Sequence, residues 1–446
     1  MPLKSRRQFL KQTMLASAAL SAAGCGKRQR RPNIVLIMAD DLGYGDLGCY
    51  GSDWISTPNI DALAKNGLRF TDYHSNGAVC TPTRAALLTG RYQQRAGLEG
   101  VIYVKPPTRQ EGLAPAEITF AEALKPAGYK TCIVGKWHLG YEKMYNPVRQ
   151  GFDEFRGYVS GNIDYISHYD NAGIYDWWHN LELVEEPGYS TDLITKHAVR
   201  FIKENQDQPF CLYVAHESPH WPYQGRRSKG DRFEGSTSKE VPGHGLDPNP
   251  KAAFKEMIEV MDEGVGDIIK TLRDLNLQQN TFVFFCSDNG GDPPWGDNGV
   301  LRGHKGQLWE GGHRVPAIAY WPGRIKPGVT DAAAMSMDLF PTMLGIADAP
   351  PPEKSLDGLD LSPVLFEKRE LPSRDLFWRY RKQKAVRRDR WKLVVEAEKT
   401  FLFDLKNDLG ERRNIAEEKP EIVAELLQAL ASWEADIPSR EKLRTK

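Results

Sequence analysis

The sequence lacks a charge excess of either sign, because 59 Lys and Arg residues balance 59 Asp and Glu residues. Nucleic-acid-binding proteins typically show a basic excess, so we expect no nucleic-acid partner. Cysteine is scarce, with 6 in 446 residues, which excludes a small disulfide-dense scaffold. We therefore predict no essential disulfide. Past the amino terminus, no apolar run is long enough to span a membrane.

The amino terminus has the pattern of an export signal. The stretch "SRRQFLK" is a twin-arginine pattern, and the short apolar run "MLASAALSAAG" follows it. Cys25 comes after small residues that resemble a lipoprotein cleavage site, although Ala22 stands where leucine is usual. We expect export to the periplasm or cell surface through a signal at 1–25, with Cys25 as a candidate membrane lipid anchor. A plain signal peptide cleaved nearby is the alternative.

Apolar strands alternate with amphipathic helices in the segment 33–363, after a linker at 26–32. The runs "NIVLIMA", "TCIVG", "FCLYVA" and "TFVFFC" lack polar alternation. That pattern is typical of strands buried on both faces of a parallel sheet. The sequence therefore predicts an α/β fold, in which a large, mostly parallel sheet is sandwiched by helices.

The segment 364–446 has a different pattern. Its residues from "DLFWRY" to "TFLFDL" alternate like antiparallel strands, and "PEIVAELLQALASWEADI" reads as an amphipathic helix. We predict a smaller C-terminal subdomain of an antiparallel sheet plus a helix. The basic cluster from Arg379 to Arg390 is interpreted as a solvated face, and contact with an anionic polymer at the site rim is the alternative.

Four of the predicted buried strands end in polar residues that can do chemistry. Turn chemistry explains one such ending, but four at one edge of a sheet indicate a ligand site. The Asp and Asn side chains among these residues offer only oxygen ligands, and such ligands favour Ca²⁺ or Mg²⁺ over zinc. The endings are Asp40-Asp41, Lys136 with His138, His216 with His220, and Asp288-Asn289.

Positive charge and histidines accompany the predicted metal ligands. Arg84, Lys136 and Lys305 add fixed cations, and a metal with such cations suits a tetrahedral oxyanion, either phosphate or sulfate. His138 and His220 can move protons near neutral pH. His216 is interpreted as a strand-end hydrogen-bond partner, with a substrate contact as the alternative.

The stretch "AVCTPTRAALLTGRY" places a cysteine just before a predicted helix. Thr81 is a good N-cap, Pro82 suits the first helical position, and Gly90 can end the helix in the left-handed conformation. Cys80 would then lie at the positive end of the helix, where a thiol has a lowered pKa and is reactive. A buried structural cysteine is the alternative.

The stretch from Cys80 to Arg84, followed by "AALLTGR", resembles the C-x-P-x-R motif of the type I sulfatases. These are formylglycine-dependent enzymes of the alkaline phosphatase superfamily, such as arylsulfatases and N-acetylgalactosamine-6-sulfatases. Further similarity lies in the early Asp-Asp pair, "GKWHLG", "PHWP", "SDNGG" and "KGQLWEGGHRVPAIAYWPG". The resemblance covers nearly the whole chain after residue 33.

The resemblance implies that a formylglycine-generating enzyme or another maturase oxidises Cys80 to formylglycine, an aldehyde that is hydrated to a diol. It also implies one bound calcium ion, with ligands Asp40, Asp41, Asp288, Asn289 and the modified Cys80. Arg84 would steady the diol.

The resemblance further implies roles for two lysines and two histidines. Lys136 and Lys305 would bind sulfate oxygens. His220 would protonate the leaving alcohol, with Lys305 as its helper, and His138 would take the proton of the second diol hydroxyl.

The implied activity is hydrolysis of sulfate esters. The expected substrate is a sulfated carbohydrate, on which the enzyme would be exo-acting, or an aryl sulfate. A phosphate or phosphonate ester hydrolase of the same superfamily is the alternative, and a glycan-binding surface lipoprotein with a dead site is a third hypothesis. Five tryptophans are candidates for sugar stacking, although we interpret most of them as core: Trp177, Trp178, Trp221, Trp295 and Trp309.

Overall fold

The computed structural model describes residues 30–237 and 246–438. The described residues from Pro32 onward form one compact unit. The predicted export signal and its candidate anchor Cys25 lie outside the described residues. Within the described part of the chain, no helix is long and apolar enough to cross a membrane.

Strands of the main body alternate with helices along the chain. The strands of this part are β1 (Asn33–Ala39), β2 (Leu68–Phe70), β3 (Tyr73–His74), β4 (Lys130–Lys136), β5 (Glu154–Tyr158), β6 (Trp178–His179), β7 (Glu182–Leu183), β8 (Phe210–Ala215), β9 (Thr281–Ser287), β10 (Ala317–Tyr320), β11 (Gly328–Thr330) and β12 (Ala334–Met335). The later strands are β13 (Asp375–Tyr380), β14 (Gln383–Arg388), β15 (Trp391–Glu396) and β16 (Lys399–Asp404).

The α-helices connect and cover these strands. They are α1 (Pro58–Asn66), α2 (Cys80–Thr89), α3 (Phe120–Leu124), α4 (Ser190–Glu204), α5 (Pro250–Asp274), α6 (Glu310–His313), α7 (Leu339–Ala347), α8 (Ser362–Glu367) and α9 (Pro420–Asp436). Short 3-10 turns lie at Gly48–Tyr50, Thr108–Gln110, Lys125–Ala127, Lys143–Tyr145, Pro147–Arg149, Gln278–Asn280 and Ser336–Asp338.

The central sheet is ten-stranded, in the order β11-β2-β10-β9-β1-β8-β4-β5-β6-β7. Its five middle strands, from β9 to β5, are parallel to one another. Alternate residues of β1 point to opposite helix layers: Ile34 and Leu36 pack with α2, α3 and α7, whereas Val35 and Ile37 pack with α1, α4 and α5. The predicted α/β sandwich with a mostly parallel sheet is confirmed.

A second sheet, β13-β14-β15-β16, is entirely antiparallel and packs against α9. Its core continues into the main body, because Trp378 and Leu393 share a cluster with Val79 and Leu308. The predicted small antiparallel sheet with a helix is thus confirmed. The domain boundary at residue 363 stays a prediction, and it falls inside α8.

Helix α2 begins two residues earlier than the sequence predicts. Val79 is its extended N-cap and Cys80 its first residue, so the prediction of Thr81 as N-cap is wrong. The Thr81 hydroxyl instead donates to the carbonyl oxygen of His138, at 3.1 Å. Gly90 ends the helix with φ +64°, as predicted. The cysteines of the described residues are free: Cys49, Cys80, Cys132, Cys211 and Cys286.

Gly135 lets β4 and β8 approach closely next to the site. Its φ is +102°, and a Cβ there would lie 1.9 Å from the carbonyl oxygen of Ala215. Gly128 also has a positive φ, +80°, but a Cβ there would meet nothing within 4 Å. We expect Gly135→Ala to lower the free energy of unfolding by at least ~2 kcal/mol more than Gly128→Ala, because only the first adds a backbone clash. Urea unfolding of the two variants measures this, and equal losses would contradict the packing described.

Candidate active site

Four neighbouring strands, β9, β1, β8 and β4, direct their carboxyl ends to the same edge of the sheet. Helix α2 begins at this edge, and its Cys80 contacts the end of β1. The sequence-predicted site residues therefore come together from segments far apart in the chain. They are Asp40, Asp41, Cys80, Arg84, Lys136, His138, His220, Asp288, Asn289 and Lys305.

Asp40 lies at the centre of this cluster and is fully buried. Its Oδ1 accepts a hydrogen bond from Cys80 Sγ at 3.3 Å, and its Oδ2 pairs with Lys136 Nζ. Burial, followed by repulsion from Asp288, raises the pKa of Asp40 to about 8. The nearby cations therefore do not fully offset the negative charge of Asp40 and its neighbours. An additional cation bound at this position would stabilise that charge.

Asp41 adopts φ +64°, a conformation that Asp tolerates better than most residues. Its Oδ2 pairs with Lys305 Nζ at 2.6 Å, and its Oδ1 accepts from Asn289 Nδ2 at 2.8 Å. Burial alone would raise the pKa of Asp41, but Lys305, His220 and Lys136 together outweigh burial and hold that pKa well below its usual range. Asp41 is thus a carboxylate at neutral pH.

Arg84 joins helix α2 to the ends of two strands. Its Nε and a terminal nitrogen donate to one Asp288 oxygen at 3.0 and 2.8 Å, and its other terminal nitrogen donates to the carbonyl oxygen of Lys136 at 3.1 Å. The side chain is fully buried. Such a charge-assisted contact fixes Cys80, one helical turn earlier, relative to the carboxylates.

Cys80 is buried, with 2% of its surface exposed. Burial, and then the neighbouring Asp40, raises the pKa of the Cys80 thiol well above its usual range. The expectation of a lowered pKa at the helix N-terminus is therefore wrong, because desolvation and carboxylate repulsion outweigh the helix dipole. As an unmodified thiol, Cys80 is a poor nucleophile.

His138 adopts φ +57° and is buried. Its Nε2 lies 3.0 Å from the carbonyl oxygen of Ile102, which only a protonated nitrogen can satisfy. Nδ1 is then the acceptor, and it has no hydrogen-bond partner among the described residues. Burial, and then Lys136, holds the pKa of His138 well below its usual range, so the ring is neutral and can accept a proton.

His220 faces Asp41 from the loop after β8. Its Nδ1 lies 2.5 Å from the carbonyl oxygen of Trp221, and its Nε2 lies 3.7 Å from Asp41 Oδ2. Burial, and then Lys305, holds the pKa of His220 well below its usual range. The hydrogen bond at Nδ1 fixes the ring so that Nε2 points into the cluster.

His216 is fully buried near this cluster, and burial lowers its pKa to about 3. Its backbone N–H donates to the carbonyl oxygen of Met38 at 2.9 Å, which extends the pairing of β8 with β1. Its ring nitrogens have no hydrogen-bond partner within 30–237 and 246–438. His216 is thus a strand-end hydrogen-bond partner through its backbone N–H, as interpreted from the sequence, but its ring does not take that role.

The donor set at this edge fits a hard cation. Ligand atoms of Asp40, Asp41, Cys80 and His220 all lie within 4.8 Å of one another. Asn289 Oδ1 is buried beside them and, in the described part of the chain, has no hydrogen-bond partner. An orphaned carbonyl oxygen among buried carboxylates is what an oxygen-loving cation such as Ca²⁺ would satisfy.

The sequence analysis missed two contributors to the site. Ile102 orients His138 through its carbonyl oxygen, and no side-chain pattern could reveal a backbone contact. Asp292 lies 3.9 Å from Lys305, and burial raises its pKa to about 6. Because Asp292 directly follows "SDNGG", its position in the sequence could have indicated that it lies at the site.

The candidate stacking tryptophans divide into two groups. Trp177 and Trp309 are buried core residues, as interpreted, whereas Trp178, Trp221 and Trp295 are half-buried.

Two family models match this chain. Residues 32–349 match the model described as Sulfatase, and residues 303–436 match the model described as N-sulphoglucosamine sulphohydrolase, C-terminal. The first spans the central sheet with all the site residues named above, and the second includes the small antiparallel sheet.

Known proteins resemble the chain over most of its length. Human arylsulfatase A is 36% identical over 456 residues, covering 90% of this chain and 86% of the relative. Dog N-acetylgalactosamine-6-sulfatase is 35% identical, covering 82% and 71% respectively. The solved structure of Ps i-CgsB superposes with a TM-score of 0.82 at 32% identity, covering 92% of this chain and 94% of the other. The chain belongs to the type I sulfatase family, has the alkaline phosphatase-like fold of that family, and is a sulfuric ester hydrolase.

Proposed function

We propose that this enzyme hydrolyses sulfate esters of carbohydrates, using a formylglycine derived from Cys80 and one bound calcium ion. The observation that carries the proposal is the position of Cys80, 3.3 Å from the central carboxylate and enclosed by cations and neutral histidines. Dog N-acetylgalactosamine-6-sulfatase and the complex of Ps i-CgsB with k-i-k-neocarrahexaose support a sulfated carbohydrate as the substrate class.

Modification of Cys80 would turn an inert side chain into a nucleophile. The thiol is buried and its pKa is raised, so the unmodified residue has no evident catalytic use. Formylglycine would supply a hydrated aldehyde at position 80. One hydroxyl would attack sulfur as the alcohol leaves, and loss of the proton from the other hydroxyl would expel sulfate and restore the aldehyde, so that water need not attack an inert ester. A formylglycine-generating enzyme or another maturase is the implied partner.

Calcium would be held by Asp40, Asp41, Asp288, Asn289 and the modified Cys80. The buried carboxylates and the orphaned Asn289 oxygen support this assignment. When bound, the ion polarises the sulfate oxygens and lowers the pKa of the attacking hydroxyl.

Two lysines would stabilise charge on the reacting group, and one arginine would position the residue at 80. Lys136 and Lys305 each pair with a carboxylate at the edge where the sulfate group would enter. Preorganised cations of this kind stabilise negative charge that builds up on the transferring group. Arg84 is held by Asp288, so it positions the first turn of α2 and the residue at 80.

The two histidines would divide the proton transfers between them. His220 points Nε2 into the cluster beside Lys305, and the charge of a bound sulfate ester would favour its protonated form, which suits a donor to the leaving alcohol. In the described part of the chain, Nδ1 of His138 has no hydrogen-bond partner. That nitrogen would therefore be available to accept the proton of the second hydroxyl.

The cellular location belongs to the same proposal. A sulfated polymer taken up from outside the cell fits the twin-arginine signal at 1–25 and a lipid anchor at Cys25, both of which lie outside the described residues. Labelling with a fatty acid precursor, compared between the natural chain and Cys25→Ala, tests the anchor.

The first prediction concerns the residue at position 80. In protein made together with a formylglycine-generating enzyme, we expect peptides containing Cys80 to have lost the elements of hydrogen sulfide and gained one oxygen. Activity on 4-nitrophenyl sulfate should follow that mass change, exceed activity on 4-nitrophenyl phosphate, and vanish in Cys80→Ala. Cys49→Ala is the control, because Cys49 lies outside the cluster. An intact thiol in fully active protein, or a preference for the phosphate ester, would contradict the proposal.

The second prediction separates the two histidines. A sugar alkoxide is a poor leaving group and needs a proton, whereas a nitrophenolate leaves without help. We expect His220→Ala to slow sugar sulfates by ~10²–10⁴-fold and aryl sulfates far less. His138→Ala should slow both substrates alike, because sulfate release follows either leaving group. Values of kcat and kcat/KM for both variants on both substrates test this. An equal loss for His220→Ala on the two substrates would transfer the donor role to Lys305.

A further inference from the structure

The turn between β13 and β14 presents two cations to solvent. Tyr380 pairs with Gln383 at the end of the hairpin, which leaves Arg381 and Lys382 in the turn, and both are exposed. Arg381 adopts φ +53°, as a tight turn between adjacent antiparallel strands requires.

These two cations differ from the rest of the basic cluster. No carboxylate in the described part of the chain lies within 4.0 Å of Arg381 or Lys382. The other basic side chains between positions 379 and 390 are paired: Arg379 with Glu99 and Glu434, Lys384 with Glu434, Arg387 with Asp72, Arg388 with Asp375, and Arg390 with Asp404. The cluster is therefore largely neutralised as a solvated face, and its uncompensated charge is confined to the turn.

Two connections link the turn to the catalytic residues. Gln383 Oε1 accepts from the backbone N–H of Leu308 at 3.0 Å, in the loop that carries Lys305. On the other side, the Arg381 guanidinium is close enough to Tyr103 for the two side chains to interact electrostatically, and Tyr103 directly follows Ile102, whose carbonyl oxygen accepts from His138 Nε2. The turn therefore adjoins the segments that carry Lys305 and Ile102.

Tyr380 directly precedes the turn and belongs to the same apolar cluster as Val79, the residue before Cys80. The Arg381 guanidinium lies 5.1 Å from the centroid of the Tyr380 ring. Burial raises the pKa of Tyr380, and the neighbouring Arg381 guanidinium opposes that rise.

The hairpin is fixed in place. Trp378 Nε1 donates to the carbonyl oxygen of Ser75 at 2.9 Å, and the N–H of Phe377 donates to the Tyr92 hydroxyl at 3.2 Å. Because one contact reaches the segment before α2 and the other the segment after it, the hairpin keeps a defined position relative to this helix and to residue 80. A preorganised pair of cations loses little entropy when it binds an anion.

We propose that Arg381 and Lys382 bind a second anionic group on the substrate, carried by the sugar next to the one that loses its sulfate. Tyr103, 52% exposed, provides a ring surface for that neighbouring sugar. This inference rests on the proposed function and narrows the substrate class to acidic oligosaccharides with at least two anionic groups. The second anion is a sulfate or a carboxylate, because both accept charge-assisted hydrogen bonds from a guanidinium and an ammonium.

The test measures binding apart from turnover. In the full chain with Cys80→Ala, calorimetry gives the Kd of a sulfated carrageenan hexasaccharide, its chemically desulfated counterpart, and a hexasaccharide of oligogalacturonate. The turn variant carries both Arg381→Gln and Lys382→Gln. The matched control, Lys65→Gln with Lys203→Gln, removes the same charge from exposed residues that precede β2 and β8, away from the site edge. Thermal unfolding shows that each variant is folded, and hydrolysis of 4-nitrophenyl sulfate by the unmutated enzyme is measured in parallel.

We expect the turn variant to weaken binding of the sulfated or the carboxylated hexasaccharide by about tenfold, and the control variant to weaken neither. The loss should shrink in high salt, because exposed charges are screened. Whichever hexasaccharide responds identifies the anion. An unchanged Kd for both, or an equal loss in the control, would overturn the subsite. If 4-nitrophenyl sulfate is not hydrolysed but the turn variant still loses binding, the proposed function fails and the subsite stands.

Discussion

The burial of two carboxylates side by side is the constraint on which the site depends. Parallel pairing of β1 with β9 places Asp40 next to Asp288 at the same edge, where neither is exposed. Uncompensated buried charge is costly, so the surrounding cations are a structural necessity as well as a chemical resource. Arg84 compensates Asp288 and Lys136 compensates Asp40, yet the pKa of Asp40 remains raised to about 8.

The burial of these carboxylates also explains what the small antiparallel sheet contributes to the site. Helix α2 must begin at the carboxylates to bring Cys80 and Arg84 to them. Trp378 of the small sheet fixes the segment before α2 through its hydrogen bond to the carbonyl oxygen of Ser75. Further from the site, buried Lys392 of β15 pairs with Glu310 at 2.9 Å. The C-terminal sheet therefore supports the loops that carry the proposed catalytic residues, and its first hairpin lies next to one of these loops.

Features governed by local pattern could be predicted from the sequence, and features governed by distant contacts could not. The unbroken apolar runs and their polar endings indicated the parallel sheet and the site edge, because strand period and strand ends are local properties. Thr81 was mistaken for the N-cap because the carbonyl oxygen of His138 takes its hydroxyl. The pKa of Cys80 was misjudged because burial and Asp40 arise only in the folded chain. The ion pairs of the Arg379–Arg390 cluster were likewise invisible, since their partners lie at distant positions.

We propose that the buried carboxylates hold a calcium ion, and calcium titration of the metal-free protein by calorimetry tests this proposal most directly. We expect one ion per chain, with proton release at pH 7 that declines by pH 9, because Asp40 with a pKa of about 8 must give up its proton to bind the ion. Titration in buffers of different ionisation enthalpy measures that release. Asp288→Ala should lose the ion while still unfolding cooperatively on heating. Calcium binding without proton release, or full calcium binding by folded Asp288→Ala, would contradict the claim.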